Sequence, residues 1–156
     1  MDIYNSILSR SFVINEQIAE QIFETIPQQG LVVLIIGKDS KLWPSNPEEF
    51  QKLNIRQDLL KEICRKIDDG AEPVVTHENN CGFVASQLST DKNNCGYVII
   101  ALPQYTPDSI MSNINLLEIM LNQFNLIANL IENKNRFYEV QANRYKADSL
   151  DIITLN

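Results

Sequence analysis

The residues of this chain with the most chemistry to offer are three cysteines and a single histidine. His77, Cys81 and Cys95 are suitable ligand types for a zinc ion, which prefers sulfur and imidazole nitrogen in a tetrahedral site. The segments 81–88 and 95–102, however, are predicted to be the arms of one hairpin, because a polar turn cluster joins them. Paired in that way, the two thiols lie ~20 Å apart at ~3.3 Å per residue. The sequence therefore predicts no metal site.

A catalytic nucleophile is not indicated either. Cys64 lies on the apolar side of a predicted helix, with Arg65 and Lys66 next to it in sequence. A reactive thiol needs a lowered pKa in a positive and accessible environment, so a buried structural thiol is the favoured interpretation. The chain contains neither a G-x-S-x-G sequence nor a G-x-x-x-x-G-K-[ST] phosphate loop. We expect that it is not an enzyme, with a thiol-dependent redox enzyme as the least favoured alternative.

Two continuous apolar runs, 31–36 and 97–102, predict short strands that are buried on both faces. Glycine or proline bounds each run and limits it to strand length. We expect the two strands to be neighbours at the centre of a sheet, with weaker strands at 41–43, 73–77 and 81–88. The sequence NNCG occurs twice, and it is interpreted as turn-forming asparagines before a glycine that permits a bulge or a close approach.

Three helices frame these strands. Asn15 is expected to cap the first, in which isoleucines recur every four residues until Pro27. The second spans about 57–68 and carries one apolar side. The third begins at a Thr-Pro-Asp sequence, which supplies a cap, a proline at the first helical position and an acid near the positive end of the helix dipole. If this helix is continuous from 107 to 146, it is ~60 Å long.

The last helix carries a regular apolar seam. Apolar or small residues recur in alternating steps of four and three, which is the spacing of paired helices. We predict a dimer interface formed by Ile110, Ile114, Leu117, Leu121, Phe124, Ile131 and Tyr138. A second apolar stripe lies beside the seam and consists of Leu116, Ile119, Met120, Leu126, Ile127 and Leu130. The helix must therefore contact two things at once; the alternative is a long helix packed only on its own sheet, with a frayed end.

The composition is that of one soluble domain, with 156 residues of which 44% are hydrophobic and 21% charged. Thirteen basic against 20 acidic residues disfavour nucleic acid and anionic membranes, because binding to either depends on excess Lys and Arg. No uninterrupted apolar run approaches the ~18 residues that span a bilayer, and no basic and apolar leader begins the chain. We expect a cytoplasmic protein with reduced cysteines and without nucleic-acid or membrane partners.

The order of these elements resembles that of a GAF domain. DLLKEICRKIDDGAEPVV at 58–75 is similar to the helix and glycine turn that lead into the third strand. CGYVIIALPQYTPDSIMSNINLLEIMLNQFNLIANLIENK at 95–134 is similar to the closing strand, the proline-containing loop and the final helix. The resemblance covers the chain from about Ile14 to about Glu139. PAS and other profilin-like sheets share much of this layout and are the nearest fold alternative.

The resemblance implies an α+β fold, in which a central antiparallel sheet of about five to six strands has the N-terminal and long C-terminal helices packed on one face. It implies a ligand pocket on the other face, dimerisation through the terminal helices and a regulatory role in signalling. The Asn-Lys-Phe-Asp-Glu signature of cyclic-nucleotide-binding members cannot be placed, and no Cys-His pair suits a bilin, so no cofactor is expected. Residues 1–146 are then one domain, with a dimerisation helix from about 107, and 147–156 are a tail or linker.

Three residues are candidates for lining a ligand pocket. Trp43 ends the second predicted strand beneath a proline-rich loop, where an aromatic side chain lines a pocket or fills a satellite core. His77 is a pocket residue or an exposed strand-end group, and Phe83 is pocket floor or plain core. We expect a signal-sensing domain that pairs with itself, binds a small molecule beside the sheet and acts on a fused or separate output protein. The alternative is a ligand-free interaction scaffold.

Overall fold

The computed structural model describes residues 12–26 and 30–154. The expected helix end at Pro27 lies outside these residues. The described helices are α1 (Glu16–Phe23), α2 (Pro47–Leu53), α3 (Gln57–Asp68), α4 (Pro107–Ser112) and α5 (Ile114–Thr154). The described strands are β1 (Val32–Gly37), β2 (Leu42–Pro44), β3 (Val74–Glu78), β4 (Cys81–Ser89) and β5 (Asn94–Pro103). Together they form the expected α+β fold.

The five strands form one antiparallel sheet in the order β2-β1-β5-β4-β3. The two apolar runs are neighbours, as predicted, with Val32 opposite Ala101 and Ile36 opposite Tyr97. The β4–β5 hairpin also confirms its prediction, because Leu88 pairs with Gly96 and the strand pairing continues to the far end of β4. Cys81 and Cys95 consequently lie at opposite ends of the hairpin.

Alternate residues of the central strands supply two separate cores. Val33 and Ile35 of β1 pack with α1 and α5 on what we call the helix face, whereas Leu34 and Ile36 pack with α3 on what we call the cleft face. Every residue of β1 is buried. Continuous apolar strands of this kind require cover on both sides, and the sheet has it. The N-terminal and C-terminal helices share the helix face, as expected.

The segment between β2 and α3 contains a helix that the sequence did not lead us to expect. Asn46 caps α2 through its side chain, which accepts a hydrogen bond from the amide of Glu49. Pro47 then occupies the first helical position, where a missing amide hydrogen costs nothing. The proline-rich loop expected after Trp43 is therefore very short, because β2 ends at Pro44 and Pro47 already begins α2.

The C-terminal helix is interrupted rather than continuous from 107. Thr106 caps α4 with a capping box as predicted, but the chain turns at Asn113 before α5 begins. Helix α5 then runs for 41 residues, about 60 Å, and continues through most of the segment that was expected to be a tail or linker.

The seam predicted as a dimer interface mostly packs into the core of its own chain. Ile110, Leu117, Leu121 and Phe124 are buried on the helix face of the sheet. Ile114 and Ile131 are partly buried against the same core, and only Tyr138, 58% exposed, projects into solvent. The prediction was wrong for the buried four because heptad spacing marks a helix face that packs on something apolar, and a sheet serves as well as a second helix.

Most of the second stripe is exposed. On its outer face α5 presents large apolar side chains to solvent at Leu116, Ile119, Leu126, Leu130 and Phe137, whereas Met120 and Ile127 are partly buried against the core. Within 114–145 the helix is also long and apolar enough to cross a membrane by length and composition: one stretch of 18 residues has a mean hydropathy of 1.2, and 22% of that stretch is buried. Asn and Gln residues interrupt this stretch, so the sequence analysis, which considered only uninterrupted apolar runs, did not identify it. Core helices of soluble proteins can have the same length and composition, so these two properties are weak evidence for a membrane-spanning helix.

A polar cluster fastens α5 to the turn between β4 and β5. Glu132 is 1% exposed and is the one charged side chain that is buried among the described residues. Its Oε2 accepts hydrogen bonds from Thr90 Oγ1 at 2.9 Å and from Asn93 Nδ2 at 2.8 Å. Its Oε1 lies 3.5 Å from Arg136 Nε in an ion pair. A buried carboxylate is tolerated here because one oxygen accepts two hydrogen bonds and the other lies beside a cation.

Asn129 and Asn125, which lie about one and two turns before Glu132 on α5, extend this contact. The side-chain oxygens of Asn125 and Asn129 accept hydrogen bonds from the backbone amides of Ser89 and Asp91, at 3.0 and 3.1 Å. We call Asn125, Asn129 and Glu132 the turn anchor. Because no residue from 133 to 145 is buried, the anchor marks the point where α5 leaves the core.

Replacing Glu132 by Ala should destabilise the fold. The change leaves Thr90 and Asn93 without their acceptor, and an unsatisfied buried polar group costs about 1–3 kcal/mol. Urea denaturation followed by circular dichroism measures this loss. The control is Glu139→Ala, an exposed glutamate on the same helix, which should unfold like the wild type. Equal stability of the two variants would show that the turn anchor contributes nothing.

Candidate functional site

A cleft of about 700 Å³ opens on the cleft face, between α3, α2 and the adjacent ends of β1 and β5. This volume is within the range of pockets for small molecules. The apolar lining consists of Ile36, Leu42, Phe50, Ile55 and Leu60. Such a site gives an apolar body a place to bind, while polar groups around it determine orientation.

The amphipathic pattern of α3 creates one wall. Its buried residues, Leu59, Leu60, Ile63 and Ile67, fasten the helix to the sheet. Cys64 and Asp68 then lie one turn apart along the cleft. The opposite wall depends on Gly96, whose φ is +133° and where an added Cβ would come within 2.1 Å of the carbonyl oxygen of Ile36. Only glycine allows β5 to approach β1 so closely, as the second NNCG sequence suggested.

A tyrosine and an aspartate join the two walls. The hydroxyl of Tyr97 donates to the carboxylate of Asp68, lying 2.6 Å from Oδ1 and 2.8 Å from Oδ2. Partial burial, followed by the charge and hydrogen bond of Asp68, raises the pKa of Tyr97 to about 12. Tyr97 is therefore a protonated donor throughout the physiological range, and it ties β5 to α3 across the cleft.

The rim of the cleft is positively charged. Lys38, Lys61 and Arg65 line it, against Asp68 as the one acidic lining residue. Arg65 is in an ion pair with Asp69, with 3.1 Å between Nη1 and Oδ2. Sequence reasoning missed this cluster because Lys38 follows β1, whereas the other two cations are on α3, and neither segment is distinctive alone.

The three cysteines have the properties of structural thiols. Burial, followed by the charge of Asp68, raises the pKa of Cys64 to about 11. Burial, followed by the charge of Glu132, raises the pKa of Cys95 to about 11. Burial also raises the pKa of Cys81. These shifts oppose the thiolate form that a nucleophile or a metal ligand requires.

The residues described at 12–26 and 30–154 include no group of three or more His, Cys, Asp or Glu side chains placed to hold a metal ion. His77 instead donates from Nε2 to the carbonyl oxygen of Tyr105 at 2.8 Å.

The three predicted ligand residues are not brought together, and none lines the cleft. Trp43 packs against the helix-face core and borders a separate groove of about 380 Å³ beside α1. His77 is an exposed residue of β3, at the opposite edge of the sheet from Trp43. Phe83 is plain core, 1% exposed beneath α3. For His77 and Phe83 the structure matches the second interpretation, an exposed strand residue and plain core, whereas Trp43 both packs on a core and borders a groove.

Comparison of the chain with protein-family models, with curated proteins and with solved structures gives no match.

The native thiols should react slowly. At pH 8 a thiol of pKa about 11, as for Cys64 and Cys95, is alkylated by iodoacetamide on the order of 100-fold more slowly than a free cysteine, because so little of it is thiolate. A raised pKa also means that the rate keeps increasing with pH to about 11 instead of levelling off near 9. Mass spectrometry of labelled peptides measures both quantities.

The control for this reaction is the same chain in urea, where burial is lost and the free rate should return. A native thiol that is modified at the free rate at pH 8 would contradict the assignment and favour the redox enzyme instead.

Proposed function

We propose that this chain is a small-molecule-sensing regulatory domain that pairs with a second copy of itself through α5. The ligand binds in the cleft, and its presence changes how α5 is held against the other face of the sheet. The cytoplasm is the location that suits reduced, buried thiols and a net charge of −7. We propose no catalytic step.

The observation that carries this proposal is the division of the central strands between the two faces. Ile36 and Tyr97, opposite each other in β1 and β5, line the cleft. Their immediate neighbours in sequence, Ile35 and Val98, lie in the core that seats α1 and α5. A sheet one layer thick thus separates the ligand from the helix. Because protein interiors are close-packed, a displacement on one face is transmitted to the other.

The exposed stripe of α5 supports pairing with a second copy. Leu116, Ile119, Leu126, Leu130 and Phe137 follow steps of three, seven, four and seven residues, and Gln123 and Asn133 complete the alternation of three and four. This is the spacing that a coiled-coil seam has. In a parallel pair each residue faces the same residue of the second copy. Gln123 then faces Gln123 and Asn133 faces Asn133, and neither lies against an apolar side chain.

The GAF resemblance supports the same function. A ligand site on one face of an antiparallel sheet, with the terminal helices on the other, is the arrangement that the resemblance implies. A fused or separate signalling protein would then respond to the helix pair.

The second candidate is a scaffold that pairs through α5 without a ligand. The exposed stripe favours the scaffold and the sensor equally, and only the cleft distinguishes them.

Replacing Leu126 by Glu should dissociate the pair. The side chain is 64% exposed in one chain, so a charge there costs the monomer little, whereas two copies facing each other would repel. Light scattering after size exclusion should report a dimer for the wild type and a monomer for the variant. Asn135→Glu adds the same charge on the opposite side of the projecting helix and should leave the dimer intact. A wild-type monomer at high concentration would remove the basis for pairing.

A thermal-shift screen against nucleotides, amino acids and other metabolites tests the sensor. A ligand that binds only the native state at about 100 times its Kd adds roughly 2.7 kcal/mol to the free energy of unfolding. We expect a specific rise in Tm that disappears in Cys64→Phe, where a larger side chain fills the cleft. No response across a broad library would contradict the sensor and leave the scaffold.

A further inference from the structure

We propose that the ligand of the cleft is an organic anion, with an apolar body and a carboxylate, phosphate or sulfonate group at one end. This inference rests on the proposed function and names the chemical class of ligand for its site. It follows from the charge of the rim, from two lysines that form no ion pair with any described residue, and from the apolar lining.

The charge of the rim is opposite to that of the chain. The whole sequence has 20 acidic and 13 basic residues, yet Lys38, Lys61 and Arg65 line the cleft against Asp68 alone. Asp68 keeps its negative charge and Arg65 is paired with Asp69 at 3.1 Å, so the uncompensated positive charge of the rim comes from Lys38 and Lys61. An anion that enters the cleft therefore meets an attractive field, although the molecule as a whole repels it.

Within the part of the chain that the structure describes, the two lysines of the rim form no ion pair, in contrast to two nearby lysines. Lys41 pairs with Asp39 at 3.9 Å and Lys66 with Glu62 at 3.7 Å, and neither of these lysines lines the cleft. Over the described ranges 12–26 and 30–154, Lys38 and Lys61 form no salt bridge. Two ammonium groups are thus available to a ligand without breaking a contact.

The apolar lining determines the remainder of the ligand. Ile36, Leu42 and Leu60 offer nothing to a small inorganic ion, whereas an apolar body gains about 25 cal/mol for each Å² of surface that it buries there. Long lysine side chains reach a charge at the mouth of such a site while their ammonium groups stay hydrated. The combination suits an anion of amphipathic shape.

The test uses two fluorescent probes that share one body, 8-anilinonaphthalene-1-sulfonate and the uncharged N-phenyl-1-naphthylamine. The sulfonate should bind more tightly, and Lys38→Gln and Lys61→Gln should each weaken its binding roughly two- to fivefold. The uncharged probe should bind both variants like the wild type. Cys64→Phe should abolish binding of both probes, with circular dichroism showing that the variant is folded.

Lys134→Gln is the matched control, since it removes the same charge from the projecting part of α5. If this variant weakens sulfonate binding and the two rim variants do not, the probe binds the exposed stripe, and the inference is overturned. If both probes bind equally, are lost in Cys64→Phe and ignore the lysines, the anion is wrong but the cleft and the proposed function stand. If neither probe binds, the inference is overturned, and the thermal-shift screen alone decides whether the sensor stands.

Discussion

The structure depends on one constraint, which is that the two central strands must be covered on both sides. Val32 to Gly37 are all buried, so a helix layer on one face alone would leave about half of these side chains in water. Burial of one large aliphatic side chain contributes roughly 1.5–3 kcal/mol, whereas a whole domain is stable by about 5–15 kcal/mol. Helices α1 and α5 therefore cover one face, and α3 covers the other. Helix α3 leaves the adjoining ends of β1 and β5 open, and the cleft lies there.

Helix α5 meets two different requirements along its length. Through Ala128 its inner face completes the core, where Leu117, Leu121 and Phe124 are buried. At Glu132 the helix is fastened to the β4–β5 turn, and beyond it no residue as far as 145 is buried. The outer face is apolar both beside the core and beyond it. A helix that only closed its own domain would need neither the outer stripe nor the projecting length.

Most of the fold follows from the sequence, and most of the site does not. The apolar runs at 31–36 and 97–102 predict central strands, and the caps at Asn15 and Thr106 predict helix starts, because these signals depend on residues close in sequence. The seam of α5 is a buried face, but it was predicted to pack against a second helix and most of it packs against its own sheet. Periodicity shows that a helix face is buried and does not show what covers it. The cleft brings together Lys38, Lys61 and Tyr97 from three separate segments. Only the strand pairing of Ile36 with Tyr97 and the packing of α3 place them together, and no local pattern encodes either.

Under the proposed function, the turn anchor connects the cleft with the exposed part of α5. Tyr97, which forms one wall of the cleft, stands four residues after Asn93, whose side chain donates to Glu132. Under the proposed function, a ligand that displaces Tyr97 from Asp68 also displaces the start of β5 and with it the turn that Glu132 holds. Because Glu132 is the last buried residue of α5 before 145, a small movement there changes the direction of everything that projects beyond it. Under the proposed function, the element that changes between two arrangements would be the set of hydrogen bonds around Glu132. The directional hydrogen bonds that the buried carboxylate accepts from Thr90 and Asn93 suit this role better than apolar contacts would, because such bonds are either formed or broken.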